Sequence, residues 1–139
     1  MVQDQAGNFY GTTSECGSNN YGTIWKVSKN GKETILHNFT GGTSDGCDPS
    51  AGVARDSKGN LYGMTYVCGA NNYGTLYELS ASGKLTLLHS FDDTDGAYPY
   101  GEVLRTTKGT LFGTVTSGGT GDNGTCNGYG CGTVWSYKP

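Results

Sequence analysis

The chain has 139 residues, of which 25 are glycine, and a formal net charge of −3. This length suits one domain, and the high glycine content argues against long helices. The acidic balance and the lack of any Lys/Arg run argue against nucleic acid or an anionic membrane surface as a partner. No apolar stretch approaches the roughly 18 residues that a membrane span needs, so we expect no membrane insertion.

The same short motifs return about every 50 residues along the chain. Residues 8–13 (NFYGTT) return at 60–65 (NLYGMT) and at 110–115 (TLFGTV), and residues 21–25 (YGTIW) return at 73–77 (YGTLY). Self-similarity at a fixed period indicates a repeat architecture. We therefore expect one domain over residues 1–139, built from about 2.75 copies. The copies span approximately residues 1–51, 52–100 and 101–139.

Each copy predicts four short strands separated by tight turns. The chain opens within the first strand of the first copy, and the complete second copy has predicted strands at 52–57, 60–66, 74–80 and 84–91. The turns carry glycine after Asp or Ser, as in residues 56–59 (DSKG) and 82–84 (SGK), which is hairpin chemistry. Four antiparallel strands per copy are typical of β-propeller blades. A β-solenoid or a series of sandwich hairpins is the alternative.

The ordered motifs resemble the GloVer tandem-repeat family of large secreted or surface-anchored bacterial proteins. They are NLYG followed by a glycine-rich loop, then YGT, S-x-G, LH-x-F and DG-x-x-P, and they cover essentially the whole chain. The third copy departs from the pattern, with Thr106 at the turn Asp position and Val115 at a Thr position. The resemblance implies a propeller-like all-β architecture in long arrays, and it implies no particular activity.

The third copy stops after its third predicted strand, which leaves about eleven strands in three incomplete blades. Propellers need roughly four to eight blades to close, and unpaired edges invite pairing with another chain. We therefore expect the ring to be completed by missing repeats or by self-association. A dimer with about six blades and two-fold symmetry is the simplest closed solution.

Five cysteines in a chain of this length indicate an oxidising, extracellular or cell-surface location. Cys126 and Cys131 are close enough in sequence for a local disulfide. In an up-and-down sheet the loops after the second and fourth strands lie at the same end, so Cys47 can reach Cys68 or Cys16. We favour the pair of Cys47 and Cys68. Without a Cys-x-x-Cys pair, a zinc site is not expected.

Candidate ligand-binding residues are side chains of the loop face that the repeat does not reproduce. Tyrosine rings can stack on a sugar while carboxylates bond its hydroxyls, which singles out Tyr66, Tyr98, Tyr100, Asp48 and Asp122. Solvated loop decoration explains the same residues.

Two further groups of residues are candidates for a site. The carboxylates Asp92, Asp93 and Asp95 make a weak calcium candidate, because clustered carboxylates repel one another unless solvated or neutralised. His37 and His89 share one repeat position, which favours a structural role such as bonding the backbone of a neighbouring blade.

No nucleophile elbow, phosphate loop or marked carboxylate pair is present, and no cofactor is implied. We therefore expect a non-enzymatic extracellular β-propeller repeat module that acts as a structural or protein-interaction surface and assembles through open blade edges. A carbohydrate-binding, lectin-like propeller is the alternative, and a secreted hydrolase or lyase is the least favoured reading.

Overall fold

The computed structural model of the chain describes residues 1–121, 126 and 129–139. Over these residues the chain forms only β-strands, turns and irregular segments, and it has no helix that could cross a membrane. In chain order the strands are β1 (Val2–Gln3), β2 (Phe9–Thr13), β3 (Thr23–Val27), β4 (Glu33–Asn38), β5 (Gly46–Cys47), β6 (Ala54–Arg55), β7 (Leu61–Thr65), β8 (Val67–Cys68), β9 (Thr75–Leu79), β10 (Leu85–Ser90), β11 (Leu104–Arg105), β12 (Leu111–Val115) and β13 (Thr133–Tyr137).

Three antiparallel sheets follow the three sequence copies. The first sheet has the order β1-β2-β3-β4, the second has β6-β7-β9-β10, and the third has β11-β12-β13. The predicted all-β class and the repeating antiparallel sheets are thus confirmed, and the third sheet has three strands over the described residues. No sheet closes on itself over the described residues, so the number of repeats in a ring stays a prediction.

In the Asp-x-x-Gly turn of the second copy, one carboxylate accepts hydrogen bonds from several backbone and side-chain groups. The Asp56 carboxylate accepts hydrogen bonds from the backbone N–H groups of Lys58 and Asn60, from the Asn60 amide and from the Tyr62 hydroxyl. Gly59 ends the turn with φ of +93°, a conformation that favours glycine. In the third copy, Thr106 Oγ1 accepts a bond from the Thr110 N–H at 3.1 Å, so the threonine retains part of the turn.

The Tyr-Gly pair within β2 and β7 is explained by an aromatic side chain opposite the glycine. Gly63 of β7 pairs with Tyr77 of β9, and a Cβ atom added at Gly63 would lie within 3 Å of the Tyr77 ring and hydroxyl. Gly11 faces Trp25 in the first sheet in the same way. The repeat therefore conserves space for a large ring on each sheet.

Two apolar clusters lie between successive sheets and form the core. The first joins the first two sheets, and its buried residues are Tyr10, Ile24, Phe39, Val53, Leu61, Tyr77 and Leu79. The second joins the second and third sheets, and its buried residues are Tyr62, Met64, Leu76, Phe91, Val103, Leu111 and Val115. Successive residues of a strand point to opposite faces, so the second sheet is buried on both faces.

A two-stranded sheet that the sequence did not predict links the first two copies. β5 precedes the second repeat sheet in the chain, and it pairs antiparallel with β8, which follows β7. Cys47 and Cys68 lie on these strands and form a disulfide with a Cα–Cα distance of 5.5 Å. The favoured pairing is thus confirmed. At the next junction a single bridge between Ala97 and Ser117 takes the same place without a disulfide.

Candidate functional site

A groove of about 790 Å³ opens at the end of the sheets where the loops after β2 and β5 meet. Residues 14–16 form one side, residues 48–50 form another, and the rings of Tyr66 and Tyr100 complete the lining. The first and second copies both contribute residues to it. The groove therefore exists only because consecutive repeats pack side by side.

Three tyrosines form a ring cluster at this groove. The Tyr66 ring centroid lies 5.2 Å from that of Tyr98 and 6.1 Å from that of Tyr100. Tyr98 also contacts Tyr73 edge to face at 5.7 Å. Tyr100 is mostly exposed, with 63% of its surface accessible. Such packing fixes Tyr66 while it leaves an exposed aromatic ring at the groove edge, where it can stack on an apolar ligand face.

Asp48 and Tyr98 have the same uncommon backbone conformation, with a positive φ. They occupy equivalent repeat positions, each precedes a proline, and each has φ of +56°. The N–H of Asp48 donates to the Tyr21 carbonyl at 3.0 Å, and the Asp48 carbonyl accepts from the Tyr66 N–H at 2.9 Å. A left-handed conformation at residues with side chains is uncommon and is maintained by such surrounding contacts.

The groove carries negative charge from two carboxylates. Burial raises the pKa of Asp48, and the nearby negative charge of Glu15 raises it further. Both side chains line the groove. A pair of carboxylates beside aromatic rings offers hydrogen-bond acceptors for hydroxyl groups and repels anionic ligands.

The predicted ligand-binding residues thus come together in part. Asp48, Tyr66 and Tyr100 line one groove, and Tyr98 packs directly against Tyr66. Asp122 lies outside the described residues. That these side chains bind a ligand stays a prediction.

Glu15 and Cys16 also line the groove, although sequence reasoning did not place them there. Cys16 is exposed and, among the described cysteines, it is the free one. The signal that could have found Glu15 is the comparison between copies, because the equivalent position in the second copy is Val67, an apolar residue. Departures from the repeat therefore mark this groove better than the repeat itself.

The acidic loop 92–95 is organised by internal hydrogen bonds. The Asp92 carboxylate accepts bonds from the hydroxyl and N–H of Thr94 and from the N–H of Asp95, and these bonds lower the pKa of Asp92. Asp93 has φ of +73° within the same turn. Over the described residues, no group of three or more His, Cys, Asp or Glu side chains is arranged to hold a metal ion. Calcium at this loop stays a prediction.

The two histidines bind carboxylates of their own repeat, not the backbone of a neighbouring sheet. His37 Nε2 lies 3.2 Å from an oxygen of Asp45, and His89 Nε2 is 2.5 Å from an oxygen of Asp95. Burial alone would raise the pKa of Asp45, but bonds from His37, Thr40 and Gly46 outweigh it and lower that pKa. The structural role expected for the histidines is therefore made through a side-chain partner.

The second predicted disulfide is also present. Cys126 and Cys131 are bonded with a Cα–Cα distance of 5.4 Å. Two disulfides in a chain of this size indicate an oxidising environment, as the cysteine content predicts.

Comparison with known proteins agrees with the repeat pattern and adds no described activity. The family model of the Gloeobacter/Verrucomicrobia repeat matches residues 1–139. No curated protein and no solved structure matches the chain significantly. Because the family model covers the full length, the chain belongs to the Gloeobacter/Verrucomicrobia repeat family.

Proposed function

We propose that the chain is a non-enzymatic, extracellular β-propeller repeat module that provides a structural or protein-interaction surface. In this proposal each repeat sheet is a blade, and the blades at the two ends of the chain associate with further blades of the same kind. The observation that carries the proposal is that the outer faces of the first and third sheets expose apolar residues at positions that are buried in the second sheet.

The outer face of the first sheet is apolar. Phe9, Trp25 and Val27 line a shallow hollow there together with Met1. The equivalent residues of the second sheet are Leu61, Tyr77 and Leu79, all of which are buried against the first sheet. The first sheet thus presents the surface that a preceding blade would cover.

The outer face of the third sheet is also apolar, and it is the face that a following blade would cover. Val134 is 80% exposed, whereas Leu76, its equivalent in the second sheet, is 1% exposed. Leu104 and Phe112 are exposed beside it. Large exposed apolar surfaces of this kind mark interaction sites.

These two faces complement each other as the faces of the internal junctions do. The outer face of the third sheet corresponds to the surface that the first and second sheets offer to the blade that follows them. A head-to-tail contact between two chains would therefore repeat the packing of the two apolar clusters. Two such contacts would close six blades with two-fold symmetry, within the range in which propellers close.

The mass of the protein in solution tests this proposal. We expect sedimentation equilibrium at micromolar concentration to give twice the chain mass of 14.6 kDa. Val134→Glu should yield monomers because it places a charge at the centre of the contact. Ser82→Glu, in an exposed hairpin turn, is the matched control and should leave the dimer intact. A wild-type monomer at all concentrations would contradict the proposal.

A second candidate function is carbohydrate binding in the groove beside Tyr66 and Tyr100. The combination of an exposed ring with the carboxylates of Asp48 and Glu15 supports it. A glycan array should then show saturable binding that free sugar competes. The binding should be lost in Tyr100→Ala and kept in Tyr129→Ala, which removes an even more exposed ring that is not among the groove-lining residues. No binding on the array would contradict this candidate.

A further inference from the structure

The outer edge of the third sheet carries an unpaired strand. β13 pairs with β12 on one side, and no described strand pairs with its other side. In the first and second sheets the equivalent strands β3 and β9 are followed by β4 and β10. The third sheet therefore exposes backbone groups that the other two sheets use for a fourth strand, and such edges bind extended segments.

A groove of about 330 Å³ lies directly beside this edge. Leu76 and Phe91 of the second copy form one wall, and Trp135 and Tyr137 of β13 form the other. At the equivalent place in the first junction, Leu85 and Leu87 of β10 pack against the first apolar cluster. The groove thus corresponds to the space that a fourth strand fills in the preceding sheet.

The two histidine–carboxylate pairs differ in exposure to solvent, and the difference matches the presence or absence, among the described residues, of a fourth strand beside them. At the first junction the side chains of His37 and Asp45 are 20% and 9% exposed. At the second junction those of His89 and Asp95 are 39% and 41% exposed. The pairs occupy equivalent places in the repeat. The sheet that follows the first pair has a fourth strand, whereas the sheet that follows the second has three strands in the part of the chain that the structure describes.

We propose that the edge of β13 and this groove bind an extended peptide segment. The segment pairs antiparallel with β13, and two of its aliphatic side chains, separated by one intervening residue, lie in the groove. The partner is thus a strand of the Leu-x-Leu type that this repeat carries as β10. The inference rests on the proposed interaction function and names the partner of one of its edges.

The register of the second sheet shows which backbone groups take part. The Ser80 N–H donates to the Lys84 carbonyl, and the Phe91 N–H donates to the Gly74 carbonyl. Alternate residues of a strand present their N–H and C=O groups to the same side, so Thr86 faces β9. By the same alternation, Val134 and Ser136 present their backbone groups to the open side of β13.

The probe is a synthetic peptide with the sequence of residues 83–92 (GKLTLLHSFD), which contains no tryptophan. Fluorescence anisotropy of the labelled peptide measures binding to the full chain. Emission from Trp135, in a Trp25→Phe background that leaves it as the single tryptophan, reports whether the groove is occupied. We expect saturable binding that shifts the Trp135 emission to shorter wavelength.

Three modified peptides separate strand pairing from non-specific apolar contact. Methylation of the Thr86 nitrogen in the peptide removes the one donor of that residue, which faces β13. We expect binding to weaken by up to about tenfold, which is the upper end of what one lost hydrogen bond contributes. Methylation of the Leu85 nitrogen, on the opposite side of the strand, should change binding less than twofold. A peptide with Asp in place of both Leu85 and Leu87 should not bind.

The protein variant Ser136→Pro removes an edge donor and should also abolish binding, provided its circular dichroism spectrum is that of the wild type. Absence of peptide binding, equal weakening by both methylations, or binding of the Asp peptide would each overturn the inference. Trp25 and Val134 lie on the outer sheet faces and do not line the groove. Dimerisation through those faces can therefore be measured independently of peptide binding in the groove. Dimerisation without peptide binding rejects the strand site alone, and peptide binding without dimerisation rejects the face contacts alone.

Discussion

Removal of the Cys47–Cys68 disulfide should destabilise the chain by about 3 kcal/mol at 25 °C. The bond joins residues separated by 21 positions. Cross-linking a loop of this length lowers the entropy of the unfolded chain, and this entropy loss stabilises the folded state by about that free energy. The bond also connects β5 to β8, which link the first two repeats. For a domain of this size, such a loss corresponds to a decrease in Tm of about 10 °C.

The assay is urea and thermal unfolding of the double variant Cys47→Ser/Cys68→Ser, followed by circular dichroism. Cys16→Ser is the matched control, because Cys16 is exposed and unbonded, and it should change the free energy of unfolding by less than about 0.5 kcal/mol. A Tm of the double variant that falls by less than about 3 °C would contradict this prediction. So would a control that destabilises the chain as much as the double variant.

Three further predictions concern the repeat motifs. Gly63→Ala should lower the free energy of unfolding by about 1–3 kcal/mol, because the new methyl group overlaps the Tyr77 ring; urea unfolding measures it, and an unchanged midpoint would count against the close approach. Tyr77→Phe should be neutral or stabilising, because the Tyr77 hydroxyl is buried without a hydrogen-bond partner; a clear loss of stability would show that the hydroxyl has a partner. Burial opposes ionisation of Asp56, but bonds from Asn60, Tyr62 and Lys58 outweigh it and lower its pKa. The ionised carboxyl thus adds stability above its unfolded pKa of 3.8, and this stability is lost as pH falls through the lower folded value. Asp56→Thr, which copies Thr106, should therefore flatten the loss of stability below pH 4, and an unchanged acid profile would contradict this.

Much of the fold could be predicted from the repeat because each strand has its own turn chemistry. The strand predicted at 60–66 is observed as Leu61–Thr65, and the one predicted at 84–91 is observed as Leu85–Ser90. Strand alternation placed the loops of Cys47, Cys68 and Cys16 at one end of the sheet, and of the two pairings that this left open the favoured one, Cys47 with Cys68, is observed. These features depend on local signals and strand alternation, which one sequence records.

The remaining features depend on contacts between copies, which periodicity does not record. β5 and β8 have two residues each, too few for an alternating pattern. The bond from His37 to Asp45 spans eight residues between a strand and a loop, and no motif spacing indicates it. Tyr66 and Tyr100 could be selected because the repeat does not reproduce them, but their position beside Glu15 is set by the packing of successive sheets.

If the two exposed faces bind each other head to tail, two variants that each block one face should form a complex when mixed, although neither associates alone. Phe9→Glu blocks the outer face of the first sheet, and Val134→Glu blocks that of the third, where each residue is exposed. Sedimentation of either variant alone should give the mass of one chain, 14.6 kDa, while an equimolar mixture should give a one-to-one complex through the intact face of each partner. A mixture that stays monomeric while the wild type dimerises, or a single variant that still dimerises alone, would contradict the account.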